Sequence, residues 1–178
     1  MKATRKLSLL WLVSILTLST VWANPCDLKS LPEPVLASLA KDYSGWIVIT
    51  PNELSAEDRE TWRKLYFKEC PGMIAGKFSG DREGYALNLV KKVGAKTYQQ
   101  IVYYQPTESS FTIISIFPRT AVGVVTVLRK FPPGIYKPFY GGKSVSIKTA
   151  TIGVSEIDAG TIVYYWDQTK FRSIITSD

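Results

Sequence analysis

The sequence contains no histidine, only two cysteines and two methionines, and a single long apolar run, at its start. Without histidine the chain lacks the usual general base near neutral pH. It also lacks both common pairings of imidazole with a serine or cysteine nucleophile, and most zinc or copper sites. Serines are plentiful, but none sits in a G-x-S-x-G elbow. Catalysis through carboxylates stays open. Asp58, with Glu57 or Glu60, falls in the first turn of an expected helix, where acids complement the dipole without doing chemistry. Glu156 and Asp158 stand two apart in "SEIDAG" and would share one face of a strand, or be solvated in a turn. Nothing in the pattern sets a second carboxylate opposite them, so solvated acids are the simpler reading.

The apolar run fixes the expected compartment. Lys2, Arg5 and Lys6 precede a stretch from Leu7 to Val21 broken only by small hydroxyl residues, and Val21-Trp22-Ala23 suits a signal-peptidase site. Residues 1–23 therefore read as a cleaved Sec-type signal peptide of a bacterial protein, and residues 24–178 as one periplasmic or secreted domain. A retained anchor fits less well, because the run falls short of the ~20 residues that span a bilayer. A lipidated cysteine would need a small residue directly before it, whereas Cys26 follows Asn24-Pro25.

Cleavage removes three of 22 basic residues and none of 15 acids, so the net charge drops from +7 to +4. That is a mildly basic surface, which disfavours nucleic acid and leaves an acidic protein or an anionic envelope polymer as the charge-matched partners. No membrane span remains after cleavage, and no cofactor is expected. Cys26 and Cys70, an even pair in an oxidising compartment, read as a disulfide. Closing that loop is worth about 4 kcal/mol in the chain-entropy model.

The front third carries helical signals. "LPEPVLASLAKDY" repeats Val35, Leu36, Leu39 and Ala40 at helical spacing. "LSAEDRETWRKLYFKEC" opens on a capping box, Ser55 with Asp58, and places Arg63, Lys64 and Lys68 in its last turns, with Pro71-Gly72 as its stop. Beyond it strands dominate: "YALNL", "TYQQIVYY", "FTIISIF", "AVGVVTVL", "SVSIKTATIGV", "GTIVYYW" and "KFRSIIT". Close spacing without long crossovers implies antiparallel pairing. The expected fold is α+β, a twisted antiparallel sheet of six to eight strands with one or two N-terminal helices packed on one face.

One segment has a distinctive outline. "CPGMIAGKFSGDREGYALNL" resembles the "GDFNGDGxxDYALL" pattern of FG-GAP or VCBS-type repeats over about 20 residues. With the ending "GTIVYYWDQTKFRSIITSD", it is similar to uncharacterised bacterial exported proteins that carry one such segment. In the repeat families the acidic positions supply oxygen ligands to calcium, which takes six to eight of them. Here Lys77, Ser79 and Gly84 stand at three of those positions and only Asp81 remains, flanked by Arg82 and Glu83. The resemblance therefore implies a structural hairpin without its metal, and one segment cannot build a propeller of at least four blades.

"FPPGIYKPFYGGK", residues 131–143, is the candidate binding surface. Tyr136, Lys137, Phe139, Tyr140 and Lys143 gather there among prolines and glycines that cannot continue a sheet ladder. Rigid aromatics beside cations suit an interface core. The bland alternative folds the loop back over the sheet, its rings serving as core. Taken together, the residues point to a small binding domain for a protein or a cell-envelope component, with an inhibitor or immunity-type protein as one form of it. A carboxylate-dependent hydrolase of an envelope polymer and a structural envelope domain are the alternatives.

Overall fold

The computed structural model describes residues 24–157 and 159–176. The expected signal segment and Asp158 lie outside the described residues. In chain order the elements are α1 (Glu33–Asp42), β1 (Ile47–Val48), α2 (Ala56–Leu65), β2 (Met73–Gly76), β3 (Gly84–Val93), β4 (Lys96–Pro106), β5 (Phe111–Val122), β6 (Val127–Phe131), β7 (Gly134–Tyr136), β8 (Val145–Ile147), β9 (Thr151–Ser155), β10 (Thr161–Trp166) and β11 (Phe171–Thr176). Short 3-10 turns cover Leu28–Ser30 and Pro51–Glu53. The fold is α+β, and the strand pairs are antiparallel.

The strands form a five-stranded sheet, a four-stranded sheet and a two-stranded ribbon. The first runs β1-β3-β4-β5, with β2 on the same edge of β3 as β1; the second runs β11-β10-β9-β6; the ribbon is β7-β8. The antiparallel strands are thus shared between two larger sheets and the ribbon. "AVGVVTVL", which reads as one strand, is divided: β5 ends at Val122 and β6 begins at Val127. The cause is a buried polar junction. Gln99 donates to the Asn88 side-chain oxygen at 2.8 Å and to the Thr126 hydroxyl at 2.6 Å, while Asn88 donates to the Thr126 carbonyl at 2.8 Å. The Thr126 amide returns a bond to Gln99 at 3.2 Å. Thr126 gives its amide and its carbonyl to these side chains instead of a ladder, and the chain changes sheets there.

Strand alternation then builds the layers. Ala86, Ile101 and Tyr103 face the second sheet and pack with Ile74, Phe78, Leu128, Ile152 and Val154. Leu87, Leu89, Val102 and Tyr104 face the other way and are covered by α1 through Val35, Leu36 and Leu39. A third cluster joins Trp62 of α2 to Ile49, Leu54, Val90 and Val127, on the β3 face shared with the second sheet. Each helix therefore covers a different part of the first sheet.

The helix ends follow local chemistry. Ser55 caps α2 by accepting from the Asp58 amide at 3.1 Å, and the Asp58 carboxylate takes the Ser55 hydroxyl at 2.7 Å. A reciprocal capping box sits one turn earlier, where the Glu53 carboxylate accepts from the Thr50 amide at 2.7 Å. α2 stops at Leu65, short of the Pro71-Gly72 breaker. Its Trp62 indole donates to the Glu69 carbonyl at 3.2 Å and so draws the chain back across the last turn. Cys26 and Cys70 form a disulfide, with Cα atoms 5.0 Å apart, that ties the N-terminal arm to the entry of β2.

Tyr104 reports on the α1 layer. Its ring is fully buried, and burial pushes its phenol from 10.0 up to about 12, only partly opposed by a hydroxyl contact with Ser38 at 3.3 Å. Above pH 10 the unfolded chain loses this proton while the folded chain keeps it. Stability therefore falls as pH rises from about 10 to about 12, by about 3 kcal/mol from this group. Alkaline unfolding followed by circular dichroism and tyrosinate absorbance should show a Tyr104→Phe variant shifted to higher pH. An unshifted midpoint would remove Tyr104 as a cause.

Candidate recognition site

Residues 131–145 leave the edge strand β6 because Pro132 and Pro133 have no amide to donate to a ladder. The base of the resulting hairpin is fixed by packing. A side chain at Gly153 would come within 2.2 Å of the Phe131 ring, so the absent Cβ lets that ring lie on β9. Arg129 is held between two rings, with its guanidinium 4.9 Å from the Phe131 centroid and 4.6 Å from that of Tyr66. Tyr136 is half-buried; its hydroxyl donates to the Pro132 carbonyl and accepts from the Thr151 hydroxyl at 3.5 Å.

The far end is tied at one point. The Phe139 amide donates to the Ile175 carbonyl at 2.8 Å, which seats the tip on the outer edge of β11. Gly141 and Gly142 have φ of 84° and 115°, conformations that favour glycine, and they turn the chain back into β8. Between these ties the apolar side chains point to solvent. Tyr140 is 82% exposed, Ile135 77%, Phe139 59% and the neighbouring Ile175 43%. The Phe139 and Tyr140 rings meet edge to face with centroids 5.1 Å apart. Lys137 and Lys143 are exposed beside them. Of the five candidate residues, Lys137, Phe139, Tyr140 and Lys143 stand outward on the tip and Tyr136 anchors the base.

Comparison with protein-family models, curated proteins and solved structures finds no match. The reading rests on this geometry.

The β2–β3 loop is occupied with structural contacts. Phe78 is fully buried and meets Tyr103 edge to face at 5.9 Å, and the Ser79 and Tyr103 hydroxyls lie 2.9 Å apart. A Cβ on Gly84 would fall 2.3 Å from the Tyr103 oxygen, so glycine is required there. Arg82 donates to the Thr107 carbonyl, and Asp81 is exposed. Among the described residues no three His, Cys, Asp or Glu side chains gather as a metal set.

A cleft of about 840 Å³ brings the acidic candidates together. Glu57 and Asp58 at the start of α2, Glu53 before it and Glu156 after β9 line it, with Lys91 and Lys92 on its wall. Glu53 and Asp58 already accept capping hydrogen bonds, which leaves Glu57 and Glu156 exposed at its mouth.

Two contributors escape the strand pattern. Ile175 alternates like any sheet residue and gains its role only where the tip lands. Asp167 closes the β10–β11 turn: one oxygen accepts from the Thr169 amide at 3.0 Å, the Thr169 hydroxyl at 2.8 Å and the Lys170 amide at 2.9 Å, and the other pairs with Arg172. The Arg172 bond, then the turn's donors, hold this carboxyl well below the usual carboxylate range. Because the folded value is depressed, the stability it gives is present above about pH 4 and is lost as pH falls through the folded value. Thermal melts of Asp167→Asn should lie below wild type near neutral pH, and the gap should close in acid. A gap independent of pH would deny the charge its role.

Proposed function

We propose that this chain is an exported recognition domain that holds a protein or cell-envelope partner through the hairpin tip. The observation that carries this is the exposure of Tyr140 and Phe139 on a hairpin whose base and tip are both tied. Exposed rings with few rotatable bonds, already positioned, lose little conformational freedom on binding and supply most of an interface's energy. Lys137 and Lys143 add a positive rim that suits an acidic partner surface. The disulfide is compatible with an oxidising compartment, and among the described residues no helix is long and apolar enough to cross a membrane. Within this class an inhibitor or immunity-type role is one form, in which the exposed Phe139 and Tyr140 rings would fill a pocket on the target.

The test is capture from an envelope extract with wild type and with Phe139→Ser plus Tyr140→Ser, followed by affinity measurement on the purified partner. Two lost anchors should weaken binding by about a hundredfold or more, with the melting temperature unchanged. Equal affinity would exclude the tip.

A second reading, hydrolysis of an envelope polymer through carboxylates, is carried by the cleft that gathers Glu57 and Glu156. Release of soluble fragments from purified envelope polymer, abolished by Glu57→Gln or Glu156→Gln, would favour it. No release by the wild type would retire it.

A further inference from the structure

A second concave surface, separate from the tip, lies at the end of the four-stranded sheet. It encloses about 580 Å³ between residues 79–80 of the β2–β3 loop, residues 146–149 between β8 and β9, and residues 165–168 at the β10–β11 turn. That volume is in the range of small-molecule sites. Its lining includes two aromatic residues, Tyr165 and Trp166, and neutral hydrogen-bonding groups. Tyr165 and Trp166 are half-buried there. The Trp166 indole is braced by Phe171 at 5.2 Å, ring edge to ring face, which fixes its orientation. Ser146, Thr149 and Gln168 supply hydroxyl and amide groups that both donate and accept.

Two features of this lining work against the fold's own stability. Thr149 is half-exposed at the groove wall, yet its hydroxyl is buried and has no hydrogen-bond partner. An unsatisfied buried hydroxyl is a cost that native structures rarely carry without a reason. A turn about χ1 is the motion that would present that hydroxyl to a ligand in the groove. Gln168 holds φ of +82°, the one non-glycine residue in the left-handed region among the described residues. A glycine would sit there without strain; Gln168 instead places an exposed amide side chain at the groove.

We propose that this groove binds a neutral saccharide unit. A sugar ring offers an apolar C–H face to an aromatic side chain and a girdle of hydroxyls to groups that both donate and accept. The charge pattern works against strongly charged ligands. Among the described residues Lys148 is the one cation lining the groove, too few for a nucleotide or polyphosphate. Among the described lining residues the one carboxylate is Asp167, whose two oxygens are engaged by Thr169, Lys170 and Arg172 and so are not free for a cationic ligand. This site shares no residue with the tip or the acidic cleft, so it is independent of the reading above.

The experiment titrates the purified protein with chitobiose, cellobiose and maltose, followed by tryptophan fluorescence and by calorimetry. Saturable binding of at least one disaccharide is the expected result. Thr149→Val keeps the side chain's shape and removes the unpartnered hydroxyl. It should weaken that binding about tenfold while raising the melting temperature. Gln168→Gly relieves the backbone strain and removes the amide, and it should act in the same two directions. Absence of saturable binding to all three sugars would overturn the proposal. So would Thr149→Val binding as tightly as wild type.

Discussion

The architecture depends on the hydrogen bonds that Asn88 and Gln99 make to Thr126. Both side chains are fully buried, where an unpaired amide is expensive. Beyond the bond between them, each finds its partner at Thr126, where residues 123–126 lie across β3 and β4. That placement carries the chain off the first sheet and starts the second at Val127. Pro71 and Gly72 reinforce the seam, since their carbonyls accept from the Leu128 and Asn88 amides at 2.7 and 2.8 Å. A Cβ on Gly72 would lie 2.1 Å from the Ile49 carbonyl oxygen, so the segment passes this point only as glycine. Cys70 is two residues away, so the disulfide fastens the N-terminal arm to the same junction.

From that junction the second sheet presents its two features. At one edge, β6 runs into a proline pair and the chain rises into a hairpin whose base is packed and whose tip is wet. At its end, the β10–β11 turn and the approach to β9 leave a groove. Both are built from irregular segments resting on rigid strands, the usual division of labour between scaffold and recognition. The stiffness of the hairpin has a local cause. Glycine at 153 admits the Phe131 ring, that ring with Tyr66 holds Arg129, and Tyr136 closes the base through Pro132 and Thr151. Loosening of that base would spread the tip over many conformations and raise the entropic cost of the proposed binding.

Much of this was legible in residue order because the signals are local. Ser55 announces the start of α2 through a hydroxyl that can reach an amide three residues on. Alternation in "YALNL" and "TYQQIVYY" places Ala86 and Leu87 on opposite faces regardless of what covers them. Gly80 adopts φ of 153° in its turn, as glycine at that point of the loop suggests. The halting of α2 at Leu65 was less legible, because it depends on the Trp62 indole reaching the Glu69 carbonyl across the cluster. So was the division of "AVGVVTVL" into two strands, which needs Gln99, some 27 positions earlier in the chain. For the candidate site, residues 131–143 stood out by composition alone. Which rings anchor and which project did not, since Tyr136, Phe139 and Tyr140 carry the same kind of pattern.

By itself the sequence determined the class of the molecule: α+β, antiparallel, cross-linked through its two cysteines, without imidazole. Those properties follow from residue type and short spacing, which act over a few positions. Tertiary structure alone decided the partition into two sheets, the outward stance of Phe139 and Tyr140, and the convergence of three distant segments around Trp166. Such outcomes are set by which buried amides find partners and which glycines let another side chain approach. Those matches form only between positions far apart in the chain.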